Sequence, residues 1–126
     1  MNIPDTLRYT RNHEWLRLEG DVAVVGITDF AQGELGDVVF VELEPAGSDL
    51  QRDAVFGTVE AVKTVSEVFL PVSGTIESVN PDLEANPEIV NEEPYGRGWM
   101  VRVRMSDPSE IEDLLSAAAY ADLVGA

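Results

Sequence analysis

An all-β sandwich or barrel is the fold class that this chain of 126 residues predicts. Three observations carry it. Between Trp15 and Met105 the apolar residues recur mostly at every second position, the period of a half-buried strand. The alternating runs are short and are broken by Gly, Pro, Asn and Asp. The apolar share, 44%, is that of an ordinary globular domain, and the length allows one core but not two.

In chain order, Trp15 to Leu18 leads through Glu19-Gly20-Asp21 into Val22 to Gly26, a predicted hairpin. Thr28 is placed to cap a helical turn from Asp29 to Glu34. Strands are predicted at Val38 to Leu43, Val55 to Val62, Val65 to Val72 and Thr75 to Val79, with a turn at Pro45-Ala46-Gly47. Asn80-Pro81 and Asn86-Pro87 each set a capping residue before a proline that suits the first helical position, so two short helical turns are predicted. Tyr95 to Gly98 turns the chain into a last strand, Trp99 to Met105. The tail changes period. Asp107-Pro108-Ser109-Glu110 carries helix-start signals, and Ile111, Leu114, Leu115 and Ala118 fall at helical spacing. A C-terminal amphipathic helix of about 108–119 is the expectation, within one domain of 1–126.

Composition removes several functions. There is no cysteine, so disulfides, thiolate nucleophiles and thiolate metal sites are excluded, and sulfur redox chemistry would have to arrive on a cofactor. The formal charge is -16 with eight basic residues, too few for the basic patch that nucleic acid or an anionic membrane requires. No run approaches the roughly 18 apolar residues of a membrane helix. The start, Met-Asn-Ile-Pro-Asp-Thr, has neither the basic-then-apolar pattern of a secretory signal nor the arginines of a transit peptide, which makes the cytoplasm the expected location.

Seven of the eight basic residues are arginine, and the eighth is Lys63. It falls where the alternation resets between two predicted strands, flanked by the uncharged Val62 and Thr64. Catalytic lysines are ordinarily desolvated, which a hairpin tip cannot do. A tip can instead present an amine to a modifying enzyme and hold the attached group clear of the body, so that an acyl arm reaches several active sites in turn. His13, the only histidine, has no partners at metal-ligand spacing and no nucleophile elbow nearby. Its ordinary reading is structural. An enzyme built on His13 and neighbouring carboxylates is the alternative.

The segment Gly57-Thr58-Val59-Glu60-Ala61-Val62-Lys63-Thr64-Val65-Ser66-Glu67-Val68-Phe69-Leu70-Pro71-Val72-Ser73-Gly74 resembles the lipoylation segment of the glycine cleavage H-protein family, which commonly reads Val-Glu-Ser-Val-Lys, then Ser-Asp, then Pro-x-Ser-Gly. Further stretches resemble the same family in the same order: His13-Glu14-Trp15, Gly26 to Gln32, Leu35 to Leu43, and Val90-Asn91 with Pro94 to Trp99. Ala61 stands where serine is usual, Glu67 where aspartate is usual, and Leu70 where a small residue is common. Biotin carriers are a poorer match, since they usually flank the lysine with methionines.

The resemblance implies a mainly β hybrid barrel-sandwich with a lipoyl hairpin at 55–72, short helical turns and a C-terminal helix. It implies lipoate in amide linkage to Lys63. The arm would take the aminomethyl group of glycine from the decarboxylating subunit (P protein) to the aminomethyltransferase (T protein). Dihydrolipoamide dehydrogenase (L protein) would reoxidise it, and a lipoate ligase or a lipoyl/octanoyl transferase would attach it. The chain would then be a carrier and not itself an enzyme; an H-like protein acting in lipoyl relay is the alternative. It further implies that the loaded arm folds back near the His-Glu-Trp segment and the acid four residues past the lysine. By position these are Glu14 and Glu67, with Asn12 as a neutral acceptor.

Overall fold

The computed structural model describes residues 1–126. The strands are β1 (Arg8–Tyr9), β2 (Glu14–Glu19), β3 (Val22–Ile27), β4 (Val38–Leu43), β5 (Asp49–Leu50), β6 (Val55–Ala61), β7 (Val65–Phe69), β8 (Gly74–Val79) and β9 (Val101–Met105). Short helices α1 (Asp29–Leu35), α2 (Asp82–Ala85) and α3 (Ile89–Glu92) fill the connections, and α4 (Ala117–Val124) closes the chain. A six-stranded sheet runs β1-β2-β3-β9-β8-β5 and a three-stranded sheet runs β4-β6-β7, with every pairing antiparallel. This is the barrel-sandwich arrangement that the resemblance implies.

One core of 20 buried residues lies between the sheets. It takes Leu16, Ala23, Val25, Ile76, Val101 and Val103 from the larger sheet and Val41, Phe56, Val59, Ala61 and Val68 from the smaller. The alternation of β2 and β3 explains a second cluster. Leu16, Ala23, Val25 and Ile27 point inward, while Trp15 and Val24 point to the opposite face, where they pack with Leu7, Tyr9 and Tyr120. Tyr120 comes from α4, so the C-terminal helix covers the outer face of β1–β3, and all six residues of β3 are buried. Tyr9 and Tyr120 stack with ring centroids 4.7 Å apart.

The tail departs from the single helix expected over 108–119. Pro108–Asp113 is a 3-10 helix, Leu114 is extended, and α4 begins only at Ala117. The competing interaction is with β1. Leu115 exchanges two backbone hydrogen bonds with Tyr9, at 2.9 and 2.8 Å, which a helical Leu115 could not make. Ser116 then starts a new helix by accepting from the Ala119 N–H. The two-residue strands β1 and β5 are additional to the predicted set, being too short to show a period.

Two glycines contrast a crowded position between neighbouring strands with an open one on a helix. At Gly74 a methyl group would collide with the Arg104 backbone carbonyl and with Val103, whereas nothing lies within 4 Å of the same position on Gly33 in α1. Gly74→Ala is expected to lower stability by about 1–3 kcal/mol, the usual cost of overpacking. Gly33→Ala is expected to raise it by roughly 0.5–1 kcal/mol by removing helix-interior glycine. Urea denaturation midpoints check both.

Candidate functional site

Lys63 lies between β6 and β7 with its side chain exposed. The tip is held from two sides. Across the hairpin, the Ala61 N–H donates to the Thr64 carbonyl at 2.7 Å; on the other side, the Val62 N–H donates to the carbonyl of Asp37, in the turn before β4, at 3.0 Å. The turn before β4 is itself fastened by Asn91 of α3. Its side-chain N–H donates to the Gly36 carbonyl at 2.8 Å and to Gln32 Oε1 at 3.0 Å, and its oxygen accepts from the Val38 N–H at 2.9 Å. Gly36 has φ +79°, a left-handed value natural to glycine, and lies under the lysine stem. A Cβ there would sit 3.4 Å from Lys63 Cε.

No carboxylate lies within ion-pair distance of the Lys63 amine, although five of the seven arginines are paired with acids. Around the amine is an open hollow of about 530 Å³ whose apolar lining includes Val39, Val62 and Val65. These three are 49%, 75% and 59% exposed, so the collar around the lysine is apolar and open to a partner.

Glu14, Glu67 and Asn12 occupy different settings. Glu67 is an exposed side chain on β7, and Asn12 is exposed in the corner between β1 and β2. Glu14, by contrast, is only 1% exposed. Its Oε1 accepts from the Thr10 hydroxyl at 2.6 Å and its Oε2 from the Phe69 N–H at 3.2 Å. Phe69 belongs to β7, an outer strand of the smaller sheet, so one carboxylate ties the larger sheet to the hairpin that bears Lys63. Burial pushes the Glu14 carboxyl up to about 7, opposed by the hydrogen bonds from Thr10 and Phe69 and reinforced by the charge of Asp53. Thr10, the donor to Glu14, lines a groove of about 610 Å³ together with Arg11, Asn12, Arg52, Asp53 and Asp113; Glu14 itself lies behind that wall.

His13 does not face that groove as a free base. Its Nδ1 is 2.8 Å from the Tyr120 hydroxyl, which is also 2.8 Å from Thr28 Oγ1, and its ring packs on Phe30. Desolvation holds its imidazole below the usual histidine value. No cluster of three or more His, Asp or Glu side chains is arranged to hold a metal ion. No helix is long and apolar enough to cross a membrane. Sequence reasoning did not single out Thr10, Asp53 or Tyr120. Their relevance comes from contacts across the fold, and only the left-handed Asp53, at φ +72°, falls at a turn-forming residue type.

The family model described as glycine cleavage H-protein matches residues 7–126. The chain belongs to the glycine cleavage H-protein family. It is 60% identical over 123 residues to the glycine cleavage system H protein of Salinibacter ruber, covering 98% of this chain and 99% of that one. To the H protein of Chlorobium limicola it is 59% identical over 127 residues, covering 99% of each. The crystal structure of a glycine cleavage system H protein from Mycobacterium marinum superposes with a TM-score of 0.92 at 36% identity, over 98% of this chain and 100% of that one. Members of the family are the lipoyl carriers of the glycine cleavage system, and that is the function of this chain.

The buried Glu14 gives stability a pH dependence of known sign. Its folded-state carboxyl titrates near 7 against an ordinary 4.5, so folding takes up a proton between these values. The contribution is fully present below about 4.5 and is lost as pH rises through about 7. Glu14→Gln stays neutral and lacks this slope. Relative to that variant, wild-type stability by urea denaturation is expected to fall by about 3 kcal/mol from pH 4.5 to pH 8.

Proposed function

We propose that Lys63 is the lipoyl attachment residue, and that the groove beside Glu14 receives the loaded end of the arm. The observation that carries the first part is a lone, exposed amine without an acid partner at the tip of a braced hairpin. Such an amine fits an amide linkage: no ion pair is lost when its charge is removed, and the stem is already directed away from the core. The apolar Val39, Val62 and Val65 give a lipoate ligase or a lipoyl/octanoyl transferase a surface to dock on. Lipoate supplies the redox-active sulfur that a chain without cysteine lacks.

On this reading the chemistry of glycine belongs to glycine decarboxylase, the aminomethyltransferase and dihydrolipoamide dehydrogenase, and this chain performs none of it. Its own task is protection. An aminomethyl group carried on such an arm would bear an amine, cationic at neutral pH, and would be open to hydrolysis to formaldehyde and ammonia. A partly enclosed groove whose wall sets Asp53 and Asp113 beside Arg11 and Arg52, with the Glu14 carboxyl behind Thr10, would hold the ammonium and keep water off. A carboxylate has about four acceptor positions, of which Glu14 uses two, one for Thr10 and one for Phe69. The remaining positions suit an ammonium, with Asn12 at the groove wall and Glu67 on the strand that leads back to Lys63.

Intact-protein mass spectrometry after expression with lipoate is expected to find one lipoyl adduct per chain and none in Lys63→Arg, since a guanidinium is no acceptor. An adduct persisting in that variant would place the site elsewhere. Glu14→Ala is expected to keep the adduct and to shorten the life of the loaded arm, read as formaldehyde release without transferase or tetrahydrofolate. Glu67→Ala is expected to do the same more weakly, in keeping with its exposure. Unchanged release in both removes the groove from the reading.

A further inference from the structure

Thr10 and Glu14 are joined by more hydrogen bonds than a turn requires. The Thr10 N–H donates to the Glu14 carbonyl at 3.0 Å, and the His13 N–H donates to the Thr10 carbonyl at 3.1 Å, which together close the corner between β1 and β2. The side chain adds two more. Thr10 Oγ1 accepts from the Glu14 N–H at 3.1 Å and donates to Glu14 Oε1 at 2.6 Å. A hydroxyl has one hydrogen. Because the Glu14 amide occupies the acceptor side, that hydrogen is directed at the carboxylate. Thr10 is half-buried and lines the groove, while Glu14 behind it is buried.

We propose that Thr10 is a positioning residue for the cargo-bearing end of the arm: its hydroxyl fixes the Glu14 carboxylate so that the two unfilled acceptor positions are presented to the arm's ammonium. This rests on the role of Glu14 given above and names what makes that carboxylate competent. Three other groups act on it. Asp53, from the corner before β6, opposes its ionisation; Tyr120 of α4 is close enough to feel its charge; the Phe69 N–H of β7 favours the ionised form. Removing the Thr10 donor leaves Phe69 as the sole hydrogen-bond donor to the carboxylate. Glu14 then loses its fixed orientation and gives up its charge at higher pH. Thr10→Val keeps the branched shape and deletes only the hydroxyl, whereas Thr10→Ser keeps the hydroxyl.

The test uses full-length wild type, Thr10→Val, Thr10→Ser and Glu14→Ala, each confirmed as lipoylated by intact mass. With the arm unloaded, the Glu14 side-chain carboxyl carbon is titrated by ¹³C NMR. The Thr10→Val midpoint is expected to rise by about one pH unit, roughly a tenfold change in the ionised-to-protonated ratio. Thr10→Ser is expected to match wild type. With the arm loaded, Thr10→Val is expected to release formaldehyde about 3- to 10-fold faster than wild type near pH 7. The ratio of the two rates is expected to narrow by about pH 8.5, where most of the carboxylate is ionised in both proteins, and to stay above one there because the carboxylate remains unfixed. Taking the ratio cancels the amine's own titration. An unmoved Glu14 midpoint overturns the proposal. So does faster release at a ratio independent of pH, which is the mark of loosened packing alone. If Glu14→Ala releases quickly and Thr10→Val does not, the role of Thr10 falls while that of Glu14 stands. If Glu14→Ala releases no faster than wild type, the reading of the groove falls, and the role of Thr10 with it.

Discussion

On the proposed reading, the carrier site depends on side-chain alternation within one hairpin. Val59 and Ala61 of β6 and Val68 of β7 face the core, and this inward set fixes which way the tip points. A slip of one residue in that pairing would exchange the inner and outer faces of the strand. It would bury a carboxylate such as Glu60, now exposed, in place of Val59 or Ala61. The register is further pinned by irregularities on both sides, between Val38 and Phe40 in the β4 pairing and between Val55 and Gly57 in the β7 pairing. Apolar burial in the body is thus converted into a defined direction for an amine at the surface.

The chain's strong negative charge does not act through that hairpin. The ion pairs of Arg17, Arg52, Arg97, Arg102 and Arg104 involve at least partly exposed side chains, and such pairs contribute little individually. They do absorb nearby carboxylates, while Lys63 remains unpaired. The ionisable group that matters structurally is the buried one. Glu14 joins the sheets through an edge-strand amide that would otherwise lack a partner within its own sheet, at the expense of a desolvated carboxyl. The same group that fastens the hairpin to the body therefore also lies where the arm's cargo is held on the proposed reading.

The β-rich class and most strands were legible because alternating burial is a local property, readable in a window of six residues. Glu14–Glu19 and Val22–Ile27 fall within a residue or two of their sequence-derived limits. The tail was not legible in the same way. Ile111, Leu114, Leu115 and Ala118 have helical spacing, yet Leu115 is claimed by Tyr9, more than a hundred positions earlier. Lys63 stood out by its rarity and its place between two runs. The burial of Glu14 could not be read from its neighbours, because its partner Phe69 is 55 residues away and Thr10 engages it only once the corner has formed. Local pattern identifies what is presented to solvent; long-range pairing determines what is enclosed.

The contact between His13 and Tyr120 spans 107 residues. The Lys63 hairpin, by comparison, is closed by partners a few residues apart, with its β4 neighbour not far upstream. During synthesis the hairpin can therefore assemble while the far end of the chain is still being made, but the corner that contains Thr10, His13 and Glu14 cannot be clasped until α4 has emerged and docked. The order of manufacture thus separates two competences. On the proposed reading, a nascent chain presents its acceptor amine first and acquires the enclosure for a reactive passenger last.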